Sequence, residues 1–327
     1  MKIIRTLSAL FLVFCISFTL LYGKDKITSD GLKISAEEYQ GIITLWQIDS
    51  FEGGVGSRKQ FLLKIARDFE KQHSGVLVMV KNYTKDGAEE NFNNGIFPDM
   101  VSFGNGVCVA GMSELNVKNS ASGGVIGGKT YATAWCRGGY VLIENKEEVK
   151  NVNEKMVVSQ GEYTQPLLAV GFEKLEINDY EILKPFDAYV KFVSGKVKYL
   201  LGTQRDVNRL ITRGMQVEIK PLNNYNDLYQ YVCITSKDSL KAYYAQEFIN
   251  FLILEKSQKQ LDKIGMFSCF YQVDYQDEHL NKMQKSEQKA TISAFLSSQT
   301  LIEMQRMSKL MIDGDKDAKI KIENLLI

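Results

Sequence analysis

Histidine is almost missing from this chain, with only His73 and His279 among 327 residues. The commonest general base and the commonest metal ligand are thereby absent from nearly every position. His73 ends an exposed charged helical stretch and His279 lies in a polar one, and neither adjoins a nucleophile motif, so catalysis is not expected. Cysteine is scarce as well. Cys15 sits inside an apolar leader, and Cys108, Cys136, Cys233 and Cys269 are widely spaced with no CxxC pair. No zinc site is expected from such spacing, and outside the cytosol one or two disulfides remain open without a readable pairing. With 4 prolines in all, no Pro-rich linker divides the chain. An excess of charge is lacking too: 40 basic residues face 39 acidic ones, a net charge of +1. Nucleic acid, whose binding rests on a surplus of Lys and Arg, is therefore not an expected partner.

What remains is globular material, 45% hydrophobic and 24% charged. A chain of 327 residues exceeds the size at which a single core keeps growing, which predicts two lobes. Residues 1–23 differ in kind: Lys2 and Arg5 precede an uncharged apolar run from Thr6 to Gly23, and Lys24 and Asp25 follow. This reads as an export signal cleaved near Gly23, with an uncleaved membrane anchor as the alternative because the run approaches the roughly 20 residues of a spanning helix. Phe14 before Cys15 argues against a lipoprotein signal.

From residue 42 the pattern alternates. IITLWQI (42–48) suits a buried strand; the glycine loop DSFEGGVGS follows, and then RKQFLLKIARDFEKQ with Phe61, Leu62, Ile65, Ala66 and Phe69 on one helical face. Ser57 with Gln60 three residues later predicts the helix start. VLVMVKNY (76–83) and DMVSFG (99–104) continue the series, the alternation of an α/β lobe with a mostly parallel sheet. YATAWCRGGYVLIEN, broken by Gly138 and Gly139, reads as the crossing into a second lobe. There the grammar recurs: KVKYLL (196–201), the turn GTQ, and the helix RDVNRLITRG with a Thr203–Asp206 capping signature. MQVEIKPL (215–222) and YQYVCITS (229–236) read as strands, 239–257 as an amphipathic helix, Gly265 as a C-cap, and the last fifty residues as helices packing on the second lobe.

GGVIGGKT (123–130) satisfies GxxxxGK[ST], but polar KNSAS precedes it and strand-like YATAW follows, the wrong surroundings for a phosphate loop. EGGVGSR (52–58) is better placed, joining a strand to a helix N-terminus. LGTQRD (201–206) repeats that architecture in the other half. Arg58 and Arg205 each fall in a first helical turn, where the macrodipole disfavours a cation, so each needs an acid, a ligand oxygen or solvent. Across facing strand ends the two loops would line one crevice. Trp135, Tyr131, Tyr140 and Phe51 are candidate aromatic platforms, and Trp46 reads as core. Glu52 and Glu173 form an acid/base pair only in principle.

ITLWQIDSFEGGVGSR, FEKQHSGVLVMVKNYT, FPDMVSFG and GGKTYATAWCRGGYVLIEN, in this order, resemble the N-terminal half of bacterial extracellular solute-binding proteins of the sugar-binding family 1 type. KDSLKAYYAQEFINFLILEKSQKQLDKIGMF is similar to that family's helix returning to the first lobe, and the resemblance covers about residues 41–270. It implies a periplasmic-binding-protein-like, Venus-flytrap α/β fold: a first lobe of 40–135 plus 236–270 and a second of 140–232 plus 276–327. Hinge segments would lie near 132–144, 230–238 and 270–276. It implies a non-catalytic, monomeric protein without cofactor that delivers a small solute, a carbohydrate, to an ABC-type permease; a membrane-anchored sensor on the same fold is the alternative. The matching ligand-facing positions are Glu52, Ser57 and Arg58, Gly104 and Asn105, Trp135, Cys136 and Arg137, and Thr203, Gln204 and Arg205. Two cleft arginines leave acidic sugars, phosphorylated or carboxylated solutes and peptide fragments open beside neutral sugars.

Overall fold

The computed structural model describes residues 39–51, 53–117, 123–147, 153–177, 179–286 and 288–327. The leader and Glu52 fall outside them. The apolar run forms β1 (Gly41–Ile48), and the glycine loop leads into α1 (Arg58–Glu70), whose Ser57 cap accepts from the Gln60 N–H at 3.4 Å. The predicted face of Phe61, Leu62, Ile65, Ala66 and Phe69 is buried. β2 (Val76–Tyr83), α2 (Lys85–Asn93) and β3 (Met100–Phe103) complete the alternation. GGVIGGKT folds into a two-stranded hairpin, β4 (Val125–Ile126) and β5 (Lys129–Thr130), with Gly127 and Gly128 at φ of 56° and 79°. Two consecutive positive φ values are what a tight hairpin turn demands, and this accounts for both glycines without a phosphate.

β6 (Thr133–Arg137) ends at Gly138–Gly139, and β7 (Tyr140–Asn145) opens the second lobe. β8 (Asn153–Ser159), α3 (Pro166–Glu173), β9 (Tyr180–Leu183), α4 (Pro185–Val193), β10 (Val197–Thr203), α5 (Gln204–Thr212) and β11 (Val217–Pro221) follow. β12 (Tyr229–Ile234) returns to the first lobe with α6 (Ser239–Leu252), α7 (Glu255–Gln258) and a 3-10 turn (Lys259–Ile264) closed by Gly265 at φ 61°. α8 (Glu278–Gln284), α9 (Ser298–Ile312) and α10 (Lys316–Glu323) finish the chain.

The strand order is β2-β1-β3-β12-β6 in the first sheet and β11-β7-β10-β8-β9 in the second. Both sheets are mixed rather than mostly parallel. β1 pairs with β3 in parallel and β10 with β8 in parallel, whereas β12 and β7, which carry the chain across, run antiparallel to their neighbours. The second sheet is covered on both faces, and its strands show it residue by residue. Met156, Val158 and Leu201 join the core under α3, α9 and α10; Val157 and Leu200 join the core under α4, α5 and α8. Period-two alternation thus sends apolar side chains to both sides.

The chain crosses at 138–139, at 222–228, and after Gly265. The middle crossing lies upstream of the expected 230–238, because Tyr229–Ile234 is already a ladder strand bonded to β3 and β6. The four cysteines of the folded region are free thiols, with Cys136 and Cys233 buried. No helix among the described residues is long and apolar enough to cross a membrane.

Candidate functional site

A cavity of about 540 Å3 takes its walls from both lobes. From the first come Asp49, Ser50, Phe51, Gly53, Gly56, Ser57 and Arg58; from the second come Ser159, Gly161, Glu162, Thr164, Pro185, Thr203 and Arg205, with Leu228 from the middle crossing. All the wall loops follow the C-terminal ends of β1, β8, β9 and β10, the usual ligand position of open α/β sheets. Five hydroxyls, two carboxylates, two guanidinium groups and one aromatic ring face the space.

Arg58 shapes the first wall. Its Nε lies 2.8 Å from Asp49 Oδ1, Nη1 donates to Gln230 Oε1 at 3.0 Å, Nη2 donates to the Phe51 carbonyl, and its guanidinium sits 4.4 Å from the Phe51 ring centre. The acid that a cation at a helix start requires is therefore Asp49. Gln230 is itself held, donating to the Ile48 carbonyl at 3.0 Å and to Ser102 Oγ at 3.1 Å. The loop from Asp49 to Ser57 is thus tied to the middle of its own sheet.

The second wall is built by two capped turns. Thr203 and Asp206 form a reciprocal capping box at the start of α5: Asp206 Oδ2 accepts from the Thr203 N–H at 2.9 Å and Thr203 Oγ1 from the Arg205 N–H at 3.3 Å. In the turn 160–165, Thr164 Oγ1 accepts from the Gly161 N–H at 2.8 Å. Gln305 of α9 lays its amide against the carbonyls of Gly161, Glu162 and Thr164 at 2.9–3.0 Å. Beneath this turn Asp227 is fully buried: Oδ1 accepts from Tyr140 Oη–H at 2.7 Å and Oδ2 from the Gln165 N–H at 3.1 Å. Burial pushes its carboxyl up to about 7, against the lowering pull of those bonds.

Of the positions singled out from sequence, Ser57, Arg58, Thr203 and Arg205 meet at the cavity; Glu52 lies outside the described residues. Gly104 is placed one step back: a Cβ there would fall 1.8 Å from Ser50 Oγ, so the glycine lets Ser50 reach the wall. Asn105 is buried beside it, donating to the Asp227 carbonyl at 2.7 Å. The remaining positions are corrected. Trp135 is wholly buried, stacked on Phe61 at 5.4 Å, and its indole donates to Ser102 Oγ at 3.0 Å. Cys136 is buried in the same strand. Arg137 points to a different pocket, donating to the Gln284 carbonyl at 2.7 Å. Gln204 is buried under the crossing, where its Oε1 accepts from the Gly139 N–H at 3.0 Å. Among the aromatic candidates Phe51 reaches the cavity, while Tyr140 serves Asp227 and Trp46 is core. Glu173 pins the turn at Asn223 and Asn224.

Sequence reasoning missed Asp49, Ser159, Gly161, Glu162, Thr164, Pro185 and Leu228. The Pro166 and Pro185 helix starts, each after a strand, were the available signal for most of them. Replacing Trp135 by Phe is expected to cost about 1–2 kcal/mol in chemical denaturation through the lost hydrogen bond and ring volume, with solute affinity unchanged. A tenfold affinity loss at unaltered stability would return Trp135 to the site.

No protein-family model matches the chain, and no curated protein matches it in sequence. Solved structures do match in fold. The sugar-binding protein MalE from Xanthomonas citri has a TM-score of 0.59 at 12% identity, covering 87% of this chain and 95% of that one. The galacto-N-biose/lacto-N-biose I-binding protein of the ABC transporter from Bifidobacterium longum, in complex with lacto-N-biose, has a TM-score of 0.58 at 13% identity, covering 88% and 95%. Iron-bound HitA from Pseudomonas aeruginosa has a TM-score of 0.56 at 13% identity, covering 82% and 99%. At such identity the likeness is one of fold. The chain has the two-lobed α/β fold of periplasmic binding proteins, and the resemblance read from its sequence holds at that level.

Proposed function

We propose that this protein is an exported, monomeric solute-binding protein that takes a small carbohydrate between its lobes and delivers it to an ABC-type import permease. The observation that carries the reading is the shared cavity, whose volume of about 540 Å3 lies within the range of small-molecule sites. Its chemistry favours a neutral, hydroxyl-rich solute over an anion. Arg58 is offset by Asp49, and Arg205 faces a space that Glu162 also lines, so the described wall carries as many carboxylates as guanidinium groups. Fixed carboxylates and guanidinium groups offer acceptors and donors to sugar hydroxyls, and the Phe51 ring offers an apolar face. Metal cargo is less well served: among the described residues no three His, Cys, Asp or Glu side chains converge.

A thermal-shift panel of mono- and oligosaccharides, sugar acids, sugar phosphates, amino acids and nucleotides tests the reading, since a ligand of the folded state raises the melting temperature. Stabilisation by one neutral sugar class is expected. Stabilisation by anionic solutes alone would overturn the sugar assignment, and stabilisation by none would overturn solute capture. Arg205→Ala is expected to weaken the identified sugar about tenfold by calorimetry, close to 1.4 kcal/mol; unchanged affinity would remove Arg205 from the site.

A further inference from the structure

Arg137, expected at the solute cavity, lines a separate pocket of about 230 Å3 together with Ser268, Tyr271, Gln272 and Lys285. None of these residues lines the larger cavity. Arg137 is 8% exposed. Its guanidinium donates to the Gln284 carbonyl at 2.7 Å and, weakly, to the Gly138 carbonyl at 3.4 Å, and lies 5.3 Å from the Phe267 ring centre. Those bonds use two of five N–H groups. None of the ion pairs formed among the described residues includes Arg137 or Lys285. Among the described residues no Asp or Glu lines the pocket. A nearly buried cation without a counter-charge is unfavourable, and a second cation at the same pocket adds to that.

The pocket wall is fixed by its backbone. Arg137 N–H donates to the Phe267 carbonyl and Phe267 N–H to the Arg137 carbonyl, both at 2.8 Å. Ser268 Oγ accepts from the N–H groups of Phe270 and Tyr271 at 3.1 Å each and donates to Gln258 Oε1 at 2.6 Å. Carbonyl capping of α8 accounts for one guanidinium bond, and leaves the charge itself unanswered. We infer that this pocket binds a small oxyanion, a phosphate or carboxylate group, between Arg137 and Lys285. Planar forked donors and a mobile ammonium are the pair that such a group calls for. Because Arg137 ends a first-sheet strand and Lys285 follows a helix of the second lobe's core, the bound anion would bridge the two lobes.

The test is thermal unfolding of the whole protein at pH 7 in inorganic phosphate, and separately in citrate, against sodium chloride of equal ionic strength. The expected result is a saturable rise of a few degrees beyond chloride at ~10 mM, roughly a hundredfold above a ~0.1 mM Kd. The phosphate arm alone would specify a tetrahedral group, and both arms a general oxyanion. Lys285→Glu, an exposed change that leaves packing intact, is expected to abolish the increment; Arg137→Lys is expected to weaken it, and Arg205→Ala to retain it. No increment in the parent protein, an undiminished increment in Lys285→Glu, or its loss in Arg205→Ala would overturn the assignment.

Discussion

Arg58→Ala is expected to lower solute affinity by a hundredfold or more, about 2.7 kcal/mol, and folding stability by about 3 kcal/mol. The side chain is 3% exposed and holds three groups: Asp49, which also accepts from Gln47 Nε2 at 3.0 Å, the Phe51 carbonyl and the Oε1 of the fully buried Gln230. Its removal leaves the buried Gln230 Oε1 without that donor, worth roughly 1–3 kcal/mol, and the part-buried Phe51 carbonyl without its own, worth less because cavity water can reach it. Asp49 contributes less to the loss, because its side chain is 47% exposed and water can solvate it. The affinity falls because Asp49, Ser50, Phe51 and Ser57 are wall residues on the loop that Arg58 anchors. Arg58→Lys separates charge from shape: a lysine meets Asp49 but cannot serve Gln230 and Phe51 together, so an intermediate affinity is expected. Calorimetry with the identified sugar and urea melts of the three proteins decide it. Affinity within threefold of the parent in Arg58→Ala would show that the loop keeps its form without the arginine.

The elements legible in the sequence are those whose apolar pattern has only one reading. β1, β2 and β3 are runs of strand length between turn signals, and α1 and α6 show a clear period of 3.6. The stretch 153–193 gave no such reading. PLLAVGFE in α3 is eight residues, apolar on nearly every side because it is buried in the second lobe's core, and so carries no helical period. β9 is half-buried at every position and shows no alternation. The site followed the same division. Strand, capped turn and helix identified Ser57, Arg58, Thr203 and Arg205, whereas Ser159, Gly161, Glu162 and Thr164 sat in the unread stretch. Trp135 and Arg137 misled for a physical reason: aromatic and cationic residues beside two glycines look like a ligand platform. Every residue of β6 is instead buried, and Gln258 of α7 donates to the Trp135 carbonyl at 3.0 Å.

Stability is expected to fall by about 3 kcal/mol as pH rises from 5 to 8, with Asp227 as the cause. Its carboxyl is fully buried, and the groups around it are the phenols of Tyr140, Tyr225, Tyr229 and Tyr231 rather than a cation. Desolvation therefore raises its folded pKa from 3.8 to about 7. The sign follows from proton counting. Between these values the unfolded chain has lost the proton and the folded chain has kept it, so stability is full below about 4, declines through the window and levels off above about 7. Each unit is worth about 1.4 kcal/mol, and there is no solvent screening to discount it. Asp227→Asn removes the titration. Its carboxamide can accept from the Gln165 N–H but presents an NH2 group to Tyr140, which costs roughly one hydrogen bond, about 1 kcal/mol. At pH 8, where the parent carries the full cost of a buried carboxylate, the variant is expected to be more stable by about 3 kcal/mol; at pH 5 the advantage shrinks to less than about 1 kcal/mol. Urea melts of both proteins at pH 5, 6, 7 and 8 measure this. Parallel profiles would place the titrating group elsewhere, whereas profiles that converge towards pH 5 would identify the carboxyl beneath the Gly161–Thr164 turn as the group linking protonation to the solute wall.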